Sequence, residues 1–340
     1  MKMRTYIIRR LLLLIPVLLG VSVFVFSLTR IGGNPAAAYI NERMTEEQIA
    51  SVYERFHLNE PVWVQFWYWI QGVFQGDLGW SRTSGQPVTE AILTFFPATF
   101  ELALVSITIA IFVGIALGTV SAVRRDKPVD HATRIMALSG VSLPIFWLAL
   151  MLQYVFFLQL DWFPAGDRYD INLFLDSGGF TSYTGFYTID TLVSGNFELF
   201  KDVIWHLALP AITLSFGSIA IITRMMRSSM LEVLGQDYIR TARSKGLSER
   251  TVIKKHARKN AMIPTTTIIG LSFGGLLGGA VLTESIFSWP GMGKWSTDSI
   301  TRGDSASVMG FVMVVALIYV TVNLLVDIMY AYLDPRVRLE

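Results

Sequence analysis

The chain has 340 residues, of which 52% are hydrophobic and 16% charged, and its mean hydropathy is +0.49; a soluble domain carries roughly 25% charged residues. This balance excludes an ordinary water-soluble globule, and the absence of cysteine excludes disulfides, thiol chemistry and cysteine-ligated metals. The net charge of +2 decides little, but the positions of the charges decide a good deal.

Six stretches contain no Asp, Glu, Lys or Arg: residues 11–28, 102–123, 135–160, 203–223, 261–283 and 305–326. Each is long enough to cross about 30 Å of hydrocarbon as a helix. They predict an all-α integral membrane protein with six transmembrane helices, both termini on one side. Twenty of the 28 basic residues lie on that side, among them Lys2, Arg4, Arg124, Arg134, Arg336 and Arg338. An excess of Lys and Arg in short loops marks the cytoplasmic side, so a multi-pass plasma-membrane protein with cytoplasmic termini is expected. A lipid bilayer is its medium, and no nucleic-acid partner is expected.

In chain order, residues 11–28 follow a basic start, as a secretory signal would. They are longer than the usual apolar signal core and precede five more such stretches, so a retained first span is expected. Residues 44–58 open with Thr45 and Gln48 in capping-box spacing and continue with Ile49, Val52, Tyr53 and Phe56 at helical spacing. Residues 62–74 repeat that period with Trp63, Phe66, Trp67 and Ile70. Tryptophan favours the headgroup zone, so a helix lying at the outer surface is expected; a lid packed on the protein itself is the alternative. The polar segment 161–202, with seven acids and two bases, reads as an outer element that meets something outside or as a surface insertion.

Pro16, Pro144, Pro210 and Pro264 lie in or at four of the spans, where each permits a kink. Glu101, Glu284 and Asp327 stand at span boundaries and read as interfacial or helix-end residues. Gln153 and Asn323 are polar at depth, suited first to hydrogen bonding between helices and second to contact with cargo. In the fifth span Gly270, Gly274 and Gly278 repeat every four residues, with Gly275 and Gly279 on a neighbouring line. Such a face allows helices to approach closely; lining a pathway is the other reading.

Familiar catalytic machinery is missing from the pattern. A phosphate cradle needs G-x-x-x-x-G-K-[ST], and the nearest string, PGMGKW around Lys294, has Trp295 where the hydroxyl belongs and reads as a turn. There is no HExxH, and His57, His131, His206 and His256 stand far apart. No metal site, cofactor or enzymatic activity is expected in this chain, and no repeat relates its two halves.

The most informative segment is residues 224–264, which carries ten Lys or Arg against three acids. Tyr238, Ile239, Ala242 and Arg243 fit a short helix. Gly246 breaks it, and Ser248 is placed to cap a second helix over 249–260. The pair reads as a protruding knob with Ala242 and Leu247 as apolar tip and Arg240, Arg243, Lys245 and Arg250 as positive rim. Contact with anionic lipid is the bland alternative.

This loop, YIRTARSKGLSERTVIKKHARKNAMIP, resembles the cytoplasmic coupling motif of the membrane-spanning subunits of ATP-binding cassette importers, in the branch that handles di- and oligopeptides, nickel and some oligosaccharides. Three further stretches agree: IIRRLLLLIPVLLGVSVFVFSLTRIGGNPA, TFELALVSITIAIFVGIALG, and ESIFSWPGMGKW with the closing NLLVDIMYAYLDPRVR. Where the general motif has Glu-Ala-Ala, this chain has Arg240, Thr241 and Ala242.

The resemblance implies a type I importer permease fold with a coupling helix around Arg240, Thr241, Ala242, Arg243, Gly246 and Leu247 that fits a groove on an ATPase subunit. It implies residues 1–97 as an N-terminal span with an outer amphipathic segment, 98–327 as the five-span transmembrane domain and 328–340 as a cytoplasmic tail. It further implies a heterodimer with a second permease subunit, two ATP-binding subunits that hold ATP and Mg, and an extracellular or periplasmic solute-binding protein. Di- or oligopeptides are the expected cargo, with oligosaccharide or nickel as alternatives. An autonomous channel or ion-coupled carrier, or a membrane scaffold or receptor, are the readings of a different class.

Overall fold

The computed structural model describes residues 3–32, 36, 39–40 and 43–333. Lys2, Arg336, Arg338 and the tail beyond 333 lie outside the described residues. The chain is mostly helical; among the described residues five helices are long and apolar enough to cross a membrane, with a sixth crossing if one bent pair counts as a span.

Helix α1 (Met3–Gly32) contains Pro16 and lies along the last helix, α15 (Ser305–Leu333). Arg10 and Asp327 join the two by an ion pair of 3.0 Å. Helix α2 (Glu46–Arg55) starts as its sequence requires: the Gln48 amide donates to Thr45 Oγ1, and the Gln48 side chain accepts from the Thr45 amide. Helix α3 (Val62–Phe74) buries Ile70 and Gln65, while Trp63, Trp67 and Phe74 are exposed. A short hairpin of β1 (Trp80–Ser81) and β2 (Gln86–Pro87) follows.

The centre is built from α4 (Val88–Val123) and α9 (Phe197–Leu234), which make the most extensive helix contact in the molecule. Gly114 and Gly118 explain how close they come: a Cβ at either would stand 2.7 Å from Ile222 Cγ2 or Met226 Cβ of α9. At about 1.5 Å per residue, each helix exceeds 50 Å, so both extend beyond the roughly 30 Å of hydrocarbon. Between them in sequence lie α5 (Pro128–Ser142), α6 (Ile145–Leu152) with a wider turn over Gln153–Gln159, and the outer helices α7 (Ile171–Asp176) and α8 (Tyr187–Val193).

The stretch 135–160, expected as one span, is two helices bent by 106°. Pro144 has no N–H and pushes the residue before it out of the helical region; Leu143 accordingly sits at φ −76°, ψ 129°. The outer segment 161–202 is folded rather than a bare insertion. Asp190, fully buried, accepts hydrogen bonds from Ser182 Oγ, Thr184 Oγ1 and the Thr184 and Gly185 amides, and Tyr169, Phe174, Phe180 and Tyr187 pack ring against ring.

After α9 come α10 (Asp237–Ser244), α11 (Glu249–Thr251), a wider turn over Val252–Ala257, and α12 (Arg258–Gly279). Residues Glu249–Gly278 form one continuous helical run. The second helix of the loop therefore does not end near Asn260 as expected but runs on into the apolar stretch that follows, past Pro264, which lies inside α12. Helices α13 (Val281–Ile286) and α14 (Met292–Thr301) lead to α15.

Candidate functional site

Helix α10 is short and two-sided. Ile239 and Ala242 are three residues apart and share a face. Both are buried in a cluster with Met226 and Met230 of α9, Val252 and Ala257 behind the turn, and Ala261 of α12. Ala242 is thus not the apolar tip expected from sequence but the root of the helix, placed inward by the register that buries Ile239. The outer face carries Tyr238, Arg240, Thr241 and Arg243, all exposed, and Leu247 is 40% exposed.

The helix ends in a left-handed turn. Gly246 has φ +75°, its amide donates to the Arg243 carbonyl at 2.9 Å, and the Leu247 amide donates to the Ala242 carbonyl at 3.4 Å. These two bonds make a Schellman closure, which satisfies the last carbonyls of a helix and favours glycine at the left-handed position. Across the turn, Arg243 Nη2 and Nε meet Glu249 Oε1 and Oε2 at 2.7 and 3.1 Å; the carboxylate raises the guanidinium pKa further above its usual value. Asn260 Nδ2 donates to Tyr238 Oη at 2.9 Å. The expected Ser248 cap is not formed: its hydroxyl pairs with Thr251 Oγ1 at 2.9 Å instead. Helix α10 is thereby fixed to α9 from below and to α12 from the side.

Close by, Asp130 of α5 is fully buried. It accepts from Arg227 Nε and Nη2 of α9 at 2.7 and 2.8 Å, from Ser121 Oγ of α4 at 2.5 Å, and from the Asp126 amide at 3.0 Å. One carboxylate therefore ties three long helices together beside α10. Neither residue was singled out by the sequence. Asp130 stands in the first turn of a helix and Arg227 in the basic loop, and nothing local distinguishes them from solvated charges.

The glycines of α12 divide by line. Gly270, Gly274 and Gly278 face Val326, Val322 and Val315 of α15, with an added Cβ falling 3.1 Å from Val322 at position 274 and 3.2 Å from Val315 at position 278. Gly275 faces open space and lines an apolar cavity of about 450 Å3 between α6, α9 and α12, with Ile145, Leu214 and Leu271. Asn323, between Val322 and Val326 in sequence, buries an Oδ1 that has no hydrogen-bond partner among the described residues.

At the opposite end the boundary acids prove internal. Glu101 is 3% exposed and accepts from Arg168 Nη2 at 2.5 Å and from the Thr188 amide and hydroxyl at 2.8 and 2.6 Å. Glu284 is fully buried; it accepts from Thr99 Oγ1 at 2.7 Å and the Lys294 amide at 3.0 Å, and burial pushes its carboxyl pKa up. Gly291 and Gly293 make room for it: a Cβ would stand 2.5 Å from the Glu284 carboxyl at 291 and 2.8 Å at 293. The PGMGKW string is therefore a turn that wraps a carboxyl group and leads into α14. Gln153 bonds the Ala165 and Ile286 carbonyls at 2.6 and 3.2 Å, joining the bent span to the outer segment and α13.

Comparison with known proteins identifies the family of the chain. Residues 114–339 match the family model described as binding-protein-dependent transport system inner membrane component, and residues 3–103 match the model of that component's N-terminal part. The dipeptide transport system permease protein DppB of Alkalihalophilus pseudofirmus is 45% identical over 99% of this chain and 100% of its own length. The probable D,D-dipeptide transport system permease protein DdpB of Escherichia coli is 44% identical over 95% of this chain and 94% of its own. The oligopeptide transport system permease protein AppB of Bacillus subtilis is 37% identical over 99% of this chain and 100% of its own.

Proposed function

The chain belongs to the binding-protein-dependent transport inner membrane components, as an ATP-binding cassette importer permease, and from that premise we propose that it carries dipeptides across the plasma membrane. The relatives described above are named for dipeptides or oligopeptides and none of them for a sugar or nickel, which favours the peptide reading over the other two cargoes.

In this reading the chain performs no chemistry. It pairs with a second permease subunit, receives cargo from an external solute-binding protein and is driven by two ATPase subunits that bind ATP and Mg. It crosses the membrane six times, the bent pair α5–α6 counting as one crossing, and both termini are cytoplasmic. Helix α10 is the coupling helix. The observation that carries this is its mounting: Ile239 and Ala242 are buried in α9 and α12, while Arg240, Thr241, Arg243 and Leu247 face outward.

A thrust on the outer face of α10 therefore moves α9 and α12 together. The glycine face of α12 passes that motion to α15, and the Asp130–Arg227 clamp passes it to α4 and α5. Rigid elements of this kind shift a protein between inward-open and outward-open states when a partner binds one state better. In this reading the apolar cavity lined by Gly275, Ile145, Leu214 and Leu271 is part of the path.

The test is uptake of a labelled dipeptide into proteoliposomes holding the complete assembly. ATP-dependent uptake that is lost in Gly246→Val, with the spans still helical, is expected. Uptake by this chain without the ATPase subunits would overturn the reading.

A further inference from the structure

On the face that carries α10, helices α5 and α9 leave a hollow of about 430 Å3. Three guanidinium groups border it, Arg134, Arg224 and Arg227, together with Thr133, Thr223 and Leu138. Asp130 balances part of this charge, with Oδ1 2.7 Å from Arg227 Nε and 4.0 Å from Arg134 Nε; Arg134 Nη2 also meets His131 Nδ1 at 2.5 Å, and the nearby Asp126 pairs with Arg125 at 3.3 Å. Three cations against one carboxylate leave the hollow electropositive.

Its depth follows from the sequence. Arg134 immediately precedes the uncharged stretch 135–160, and Arg224 immediately follows the uncharged stretch 203–223. The hollow thus sits where hydrocarbon gives way to headgroups. Below it on α5, Ile135 and Leu138 are 67% and 68% exposed and share a face by their spacing of three.

A second, independent observation concerns Thr223. The residue is 1% exposed and its Oγ1 has no hydrogen-bond partner among the described residues. Thr213, Thr265 and Thr266 instead return their hydroxyls to the carbonyl four residues back, at 2.8, 2.9 and 2.7 Å. A buried hydroxyl left unpaired is costly, and Thr223 is one of the residues that border the basic cavity.

We propose that this hollow binds the phosphate of an anionic phospholipid, with Arg134 and Arg224 on its oxygens, the Thr223 hydroxyl donating to one of them, and the acyl chains along Ile135 and Leu138. Basic pockets between transmembrane helices on the cytoplasmic side suit such headgroups; the proposal rests on the cytoplasmic placement of this face only in assigning the inner leaflet. A free phosphate would satisfy the cations but not the apolar strip, which favours the lipid.

The experiment uses the full-length chain in its transport assembly, placed in phosphatidylcholine nanodiscs with a minor share of phosphatidylglycerol, and counts retained lipid by native mass spectrometry. Wild type is expected to retain phosphatidylglycerol selectively. The R134Q/R224Q variant, which leaves the Asp130–Arg227 clamp in place, is expected to reduce retention roughly tenfold, T223V to reduce it less, and R125Q to leave it unchanged. Excess inorganic phosphate is expected not to displace the lipid; full displacement would make the hollow a free-anion site and overturn the lipid assignment. Equal retention by wild type and R134Q/R224Q, an equal loss in R125Q, or lipid held by the lone chain but excluded from the assembly would each overturn it too. Peptide uptake is not part of the readout, so failure here leaves the transport reading standing.

Discussion

Arg227 holds Asp130 with two parallel hydrogen bonds of 2.7 and 2.8 Å, and the carboxylate they meet is fully buried. Removing one member of a buried pair leaves the other charge without compensation, which costs about 3–5 kcal/mol. Arg227, the charge that Asp130→Asn leaves behind, is 21% exposed, so this variant is expected to lower the unfolding free energy of the purified protein by less, about 1–3 kcal/mol. The D130N/R227Q double variant should cost less than the sum of the two single changes, because the two residues act as a unit. Additive effects in a double-mutant cycle would contradict a coupled clamp.

The glycine lines of α12 give a sharper contrast. Gly274→Leu forces a side chain into Val322 and is expected to cost about 1–3 kcal/mol, the usual range for overpacking. Gly275→Ala, one residue on, meets open space and is expected to be neutral or to stabilise by up to about 1 kcal/mol through helix propensity. Thermal unfolding of the two variants side by side checks this. Equal destabilisation would mean that α12 does not present the 270–274–278 face to α15.

Much of this was legible in the sequence. Five of the six apolar stretches, the Thr45–Gln48 cap, the tryptophan-rich helix and the break at Gly246 rest on local signals: period, spacing and a residue that tolerates positive φ. What escaped was set by distant partners. Ala242 looked like a tip because it is apolar in a charged loop, but Met226 and Met230, some fifteen residues back, bury it. Glu101 and Glu284 looked interfacial because they flank apolar runs, yet Arg168 and Thr99 meet them from other elements. Pro144 announced a kink; that it would turn the chain by 106° depended on how the segment packs.

Glu284 lies outside the spanning helices, and burial raises its pKa in the folded protein above the ordinary carboxylate value. A raised folded pKa means that the folded state binds the proton more tightly than the unfolded chain. The resulting stabilisation is fully present below the unfolded pKa and is lost as pH rises through the folded pKa. Wild type should therefore gain stability relative to Glu284→Gln as pH falls into the acid range, with the difference read from paired melting curves. A difference that does not change with pH would contradict the assignment.

The Arg243–Glu249 pair is half exposed, at 43% and 55%, and exposed pairs contribute about 0.2–1 kcal/mol. Arg243→Ala is accordingly expected to change stability by less than about 1 kcal/mol while reducing ATP-driven dipeptide uptake severalfold, because the proposed function assigns the exposed face that carries it to the ATPase contact. Loss of uptake in step with loss of stability would assign Arg243 to the fold alone.

The proposed function requires force to enter through the outer face of α10, beside the turn at Gly246. The chain has no cysteine, so Leu247→Cys provides a single reporter at that turn. Labelling with a membrane-impermeant maleimide is expected to fail on intact cells, to succeed on inside-out vesicles stripped of the ATPase subunits, and to be blocked when those subunits are restored. Labelling from the outside, or labelling unaffected by the ATPase subunits, would contradict the account.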